Sequence, residues 1–211
     1  TSDISSLGSL INYLELTQKE NIPLINDIEF VKKDTFMQID DFSIKSLELF
    51  QTINGEKKGS LLDVIDKTKT ASGGRLLKNF LKSPLNDLIE IKKRHSKVEK
   101  FTKHSVVLFN IIELLKSQPD VERAMSRISA RINNPRDLIL LKNFINNSEK
   151  IFLEIQKINL KEMGDLLADE LSRKKSKILS NQIKNNINEN PPININDGDI
   201  FKKGVDKSLD F

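Results

Sequence analysis

The chain has 211 residues, of which 37% are hydrophobic, 30% charged and 6% aromatic, with no Cys and no Trp. Disulfides, thiolate metal sites and cysteine nucleophiles are therefore excluded, and no apolar run is long enough to cross a bilayer as a helix. The net charge of +4 comes from 34 basic and 30 acidic residues that are interleaved along the chain, which is not the concentrated footprint of a nucleic-acid reader.

The length suits one large domain, or one domain with a piece of another. The lack of Cys and of a basic-then-apolar leader points to an intracellular setting. Six Pro and eight Gly are few, so elements should be long, and the low aromatic content favours helices over strands.

Taken in order, the first element is a helix capped by Ser5 or Ser6, with Leu7, Leu10, Ile11 and Leu14 on one face, running to about Glu20. Residues 22–30 read as extended or looping, and Lys32-Lys33-Asp34 as a polar break. A short strand is expected at Phe36-Met37-Gln38-Ile39, then a short amphipathic helix carrying Ile44, Leu47 and Phe50. Ser60 opens a capping pattern with Asp63 three residues on. The densest patch of signals follows, from Leu62 to Leu85. It holds Asp66, alternating Thr68 and Thr70, the pair Gly73-Gly74, Arg75, an apolar stripe of Leu76, Leu77, Phe80 and Leu81, and a stop at Ser83-Pro84.

Asn86 or Asp87 caps the next helix, which carries Leu88, Ile91, Val98 and Phe101. Ser105 restarts the pattern, and Pro119 is expected at the first position of a further helix with Val121, Met125 and Ile128. Asn134-Pro135 marks another start. A long helix is predicted from Leu160 to about Asn188, and its middle, residues 172–177, is polar on all sides. Such a helix projects from a core or rests on a partner. Pro191-Pro192 ends it, and a hairpin is predicted from Ile193-Asn194-Ile195 through the turn at residues 196–199 to Ile200-Phe201.

Chemistry-bearing patterns are sparse. His95 and His104 have no ligand partners at metal spacing. Gly73-Gly74-Arg75 has no P-loop spacing and no preceding strand, so close packing of a second backbone is a better reading than a phosphate cradle. Asp120, Glu122, Arg123 and Arg127 can share a helix face as an ion network. Arg173-Lys174-Lys175 with Lys177 reads as a solvated face, with no interleaved aromatics to stack on bases. No catalytic, cofactor or metal residue is assigned.

The ordered set of motifs resembles the MutS family of DNA mismatch-recognition ATPases. The resemblance rests on Asp66-x-Thr68-x-Thr70, Gly73-Gly74-Arg75-Leu76-Leu77 and Pro84-Leu85. Met37-x-Ile39-Asp40, Leu47-Glu48-Leu49, Ser60-Leu61-Leu62, Arg94 with Val98, Asp120-x-Glu122-Arg123 with Arg127, and Pro135-Arg136-Asp137-Leu138 add to it. So do Gly8 to Gln18 near the start and Asp197-Gly198, Ile200, Gly204, Asp206 and Leu209-Asp210 near the end. Gly74 stands where the family often has Ser, and Phe80 where it often has Trp.

This resemblance implies an all-α, multi-helix core or lever domain over residues 31–211, preceded by the end of a connector domain over residues 1–30. The expected architecture includes one long protruding helix and a short β-hairpin near the C-terminus. It implies a mechanical module, without an enzymatic activity of its own, that couples an ATPase domain to a DNA clamp. ATP and Mg would belong to the parent protein, and mismatched duplex DNA would be contacted through domains outside this chain. The parent is expected to be a homodimer with MutL as partner, cytoplasmic and nucleoid-associated, with no membrane contact. Asp66, Thr68, Thr70, Gly73 and Arg75 are then candidates for a structural junction, and Asp120, Glu122, Arg123 and Arg127 for the ion network, with Glu122 and Arg123 as a buried or inter-domain pair. An independent helical adaptor and a homologue acting in recombination are the alternatives.

Overall fold

In the computed structural model, residues 2–18, 36–158 and 169–206 are described, and among them the long regular elements are all helices. Their starts follow from the side chains that precede them. α1 (Ser2–Gln18) begins ahead of the predicted cap, and its Leu10, Tyr13 and Leu16 are exposed. The predicted end at Glu20, the stretch at 22–30 and the break at 32–34 lie outside the described residues. α2 (Asp41–Ser46) is capped by Asp40, whose carboxylate accepts the Ser43 amide. α3 (Leu61–Ile65) is capped by Ser60, while the Asp63 carboxylate accepts the amide of Gly59, one residue short of a reciprocal box. α4 (Ala71–Lys82) starts at Thr70 and α5 (Leu88–Lys103) at Asp87.

α6 (Ser105–Lys116) follows His104 without a side-chain cap. α7 (Val121–Ser129) starts beyond Pro119 rather than at it, because the Pro119 carbonyl accepts the Val121 amide in a tight turn. α8 (Pro135–Gln156) has a full capping box between Asn134 and Asp137 with Pro at its first position. α9 (Glu170–Asn186) is capped by Asp169 through the Ser172 amide.

α8 is the hub: α6, α7 and α9 pack on it, and α5 packs on α6. The apolar centre is small. Ile111 and Ile155 are buried, with Phe101, Val107, Leu115 and Ile151 against them. α4 meets α5 through the Arg94 guanidinium, 3.7 Å from the centre of the Phe80 ring.

The all-α expectation holds, but among the described residues neither the long protruding helix nor the hairpin is found. The helix described is α9, and it lies along α8; residues 159–168 fall outside the described set. Of its polar middle, Arg173 docks by charge while Lys174, Lys175 and Lys177 stay exposed. Arg173 bridges to Glu149 at 2.7 Å and its guanidinium sits 3.2 Å from the centre of the Phe152 ring. Ser180, buried, donates to Asn146 at 2.8 Å, and Ile183 and Ile187 are buried beyond it.

At the predicted hairpin, residues Ile195–Asp197 form a 3-10 turn instead of a strand. Phe201 pairs through a single antiparallel bridge with Ile187, at the end of α9. The Asn188 side chain donates to the carbonyls of Asp199 and Phe201, closing a loop where a ladder was expected. The predicted strand at residues 36–39 is likewise one bridge, from Phe36 to Leu85, with the Met37 amide donating to Pro84 at 2.8 Å.

Candidate functional site

The junction is built outward from Asp66. Its Oδ1 accepts the Thr68 hydroxyl at 2.7 Å and the Thr68 amide at 3.0 Å, an Asx-type turn that ends α3. The Thr68 hydroxyl, then its amide, hold the Asp66 carboxyl below the usual carboxylate range. Two residues on, the Thr70 hydroxyl accepts the Gly73 amide at 3.0 Å and starts α4. The glycines fit this turn closely. A Cβ on Gly73 would stand 2.9 Å from the Thr70 Oγ1, and one on Gly74 3.4 Å from the Thr68 Oγ1. The close neighbours are thus the side chains of the chain's own cap, where the sequence suggested a second backbone.

The cap fixes the first turns of α4, and so aims Arg75. Its Nη2 donates to Asp120 Oδ1 at 2.6 Å, its Nη1 to Asp120 Oδ2 at 3.1 Å and its Nε to Glu122 Oε2 at 2.8 Å. Ser72 on the same helix accepts a further bond at 3.3 Å. This is a forked guanidinium–carboxylate contact, the strongest kind of side-chain hydrogen bonding. Asp120 precedes α7 but makes no side-chain cap there; its oxygens are turned to Arg75 instead. The arginine hydrogen bonds outweigh burial and keep the Asp120 carboxyl below its usual range. In turn Asp120, then Glu122, hold Arg75 protonated more firmly than an ordinary arginine.

A second joint lies at the other end of α7. Arg127 donates through Nε to Asp137 Oδ2 at 3.0 Å and through Nη2 to Asp137 Oδ1. Asp137 is 1% exposed and accepts the Asn134 amide at 3.0 Å as well. The Arg127 hydrogen bonds hold its carboxyl low against the opposing effect of burial.

The residues assigned from the sequence are therefore distributed over two joints. Asp66, Thr68, Thr70, Gly73 and Arg75 form one continuous unit. Asp120 and Glu122 join it through Arg75, across 45 and 47 residues of chain. Arg123 touches Asp120 at 3.4 Å and is otherwise exposed; Arg127 leaves that face for Asp137. Sequence reasoning missed Asp137 as a joint residue, although Asn134 with Asp137 three residues later is a legible capping box. It also missed the α8–α9 contacts of Glu149 and Asn146, which carry no local signal. Among the described residues no three His, Cys, Asp or Glu side chains gather around a possible metal position. No helix among them is long and apolar enough to cross a membrane.

Fold and joints together define a class: an all-α structural unit whose helices are tied at their ends by capping and ionic contacts. Residues 43–206 match the family described as MutS domain III. The chain is 35% identical over 205 residues to the DNA mismatch repair protein MutS of Rickettsia rickettsii (strain Sheila Smith), covering 96% of this chain and 23% of that protein. It is 36% identical over 204 residues to the MutS of Rickettsia bellii (strain OSU 85-389), covering 95% and 23%. The chain belongs to the MutS family, in the region of that family's domain III. It spans 23% of the length of the curated relatives it matches.

Proposed function

We propose that the chain is the core, or lever, unit of a DNA mismatch repair ATPase, and that it carries motion between the parent protein's ATPase domain and its DNA clamp. The observation that carries this reading is the serial arrangement of joints at helix ends. The α4 N-terminal region is tied to the start of α7 by Arg75, and the end of α7 to the start of α8 by Arg127. α8 is tied to α9 by Glu149 and Asn146. Displacement of one helix end then moves the next helix as a body, which a fluid apolar contact would not ensure. Asp66, Thr68, Thr70 and Gly73 set the aim of Arg75.

In this reading the chain does no chemistry. ATP and Mg belong to the parent's ATPase domain, and mismatched duplex DNA to its reading and clamping domains. The parent acts as a homodimer with MutL as partner, in the bacterial cytoplasm at the nucleoid. Exposed apolar side chains such as Leu10, Tyr13 and Leu16 on α1 support a unit that is covered by other domains of its parent.

The chain alone tests whether this unit lacks ATPase and mismatch-reading chemistry of its own. It is expected to hydrolyse ATP no faster than a protein-free control with Mg present. In competition at fixed salt it should bind mismatched and matched duplexes equally. Mg-dependent turnover, or a preference for the mismatch, would overturn the reading.

A further inference from the structure

α6 and α8 run antiparallel, and the apolar residues at their contact recur every four positions: Val107, Ile111 and Leu115 on α6, Ile151 and Ile155 on α8. Residues four apart stand one above the other on one helix face. Such rows are self-similar. Sliding α8 along α6 by one turn, about 5.4 Å, again sets one branched apolar residue against another. Hydrophobic attraction has no direction, so this contact discriminates poorly between the two registers.

The position one turn before Ile151 in the same row is Asn147, which is 9% exposed. Its amide nitrogen donates to the Leu114 carbonyl at 2.8 Å and to Gln118 Oε1 at 2.6 Å. Leu114 lies in the last turn of α6, and its carbonyl also accepts the Ser117 amide at 3.2 Å and the Ser117 hydroxyl at 3.0 Å. Gln118 donates onward to the Ser148 hydroxyl at 3.1 Å. At the far end of the contact Asn110 donates to Glu154 at 3.1 Å. Among the described residues no buried side-chain polar atom is left unpaired. A one-turn slip of Asn147 toward the α6 N-terminus removes all of these partners together and sets its amide against the level of Ile111. A buried amide left in that state is strongly disfavoured.

We propose that Asn147 is the register determinant of the α6–α8 pair, a positioning residue that selects one alignment and adds little stability of its own. A single polar residue within an apolar helix seam acts this way in coiled coils. The proposal stands on the α6–α8 contact and is independent of the lever reading.

The chain has no Cys, so two introduced ones label it uniquely. Phe109→Cys on α6 and Lys150→Cys on α8 are both at exposed positions. With spin labels on this pair, the distance distribution is expected to be single and narrow. Adding Asn147→Leu should leave helicity and melting temperature equal or higher, and split or broaden the distance by about 5 Å. Asn147→Ala, which cannot overpack the site, should also split or broaden it; if the leucine variant does not fold, the alanine variant decides. A single unshifted distance in the folded variants, or loss of folding in both, would overturn the proposal.

Discussion

Asp137 shows how much one carboxylate organises. Its two oxygens take the Arg127 guanidinium and the Asn134 amide, while its own amide donates to Asn134 Oδ1, so cap and joint share one buried group. Its carboxyl is held below the ordinary value of 3.8 in the folded chain. Below that value the unfolded chain binds the proton more readily, so the stabilisation is present above it and is lost as pH falls through the folded value. Asp137→Asn should lower stability at pH 7 by about 2 kcal/mol through loss of charged hydrogen bonds. In urea unfolding at a series of pH values, the gap between parent and variant should close as pH falls below 3.8; a gap that is constant with pH would contradict this. The cap was legible from Asn134-Pro135, yet the joint was not. Helical spacing places Arg127 on the face of Arg123 and Asp120, and gives no information about an acceptor on the next helix.

Among the elements, α4 tests the close fit at its start. Alanine is favoured over glycine within a helix by about 1 kcal/mol. At Gly74 the added Cβ meets the Thr68 Oγ1 at an ordinary contact distance of 3.4 Å, so Gly74→Ala should raise the melting temperature. At Gly73 it meets the capping Thr70 Oγ1 at 2.9 Å, and the cap must shift. Thermal melts should therefore place Gly73→Ala below Gly74→Ala by about 1 kcal/mol, the worth of an N-cap. Equal effects would mean that the cap does not set the start of α4. The starts of α3, α4, α5 and α8 were readable because Ser60, Thr70, Asp87 and Asn134 each cap by a local bond. At α9 the reading of residues 172–177 as a solvated face holds for Ser172, Lys174, Lys175 and Lys177, which are exposed, and fails at Arg173. Arg173 on Phe152 and Glu149, and Ser180 on Asn146, are tertiary partners that one segment's pattern does not contain. The hairpin was misread because Asn188 diverts the carbonyls of Asp199 and Phe201.

For the whole molecule, the small centre around Ile111 and Ile155 cannot by itself fix the angles between nine described helices. The polar joints supply that order. Arg75 reaches across 45 and 47 residues of sequence and makes the more exposed of the two arginine–aspartate pairs, so it is where the N-terminal helices and the α7–α8–α9 stack can part. The all-α class and the junction motif were readable from the ordered residues between Leu62 and Leu85. That Arg75 spans to Asp120 and Glu122 was not, because the two motifs were read as separate faces. Coupling of ATP to DNA through this joint is the central claim, and the parent protein carrying Arg75→Ala tests it. The measurement is the rate at which ATP releases the protein from a mismatched duplex, with Arg75→Lys as a partial substitute that keeps charge but loses the fork. The account predicts release slowed by about tenfold or more, with mismatch affinity before ATP and DNA-free ATP hydrolysis unchanged. Release at the parent rate, or loss of release only together with hydrolysis or DNA binding, would contradict it.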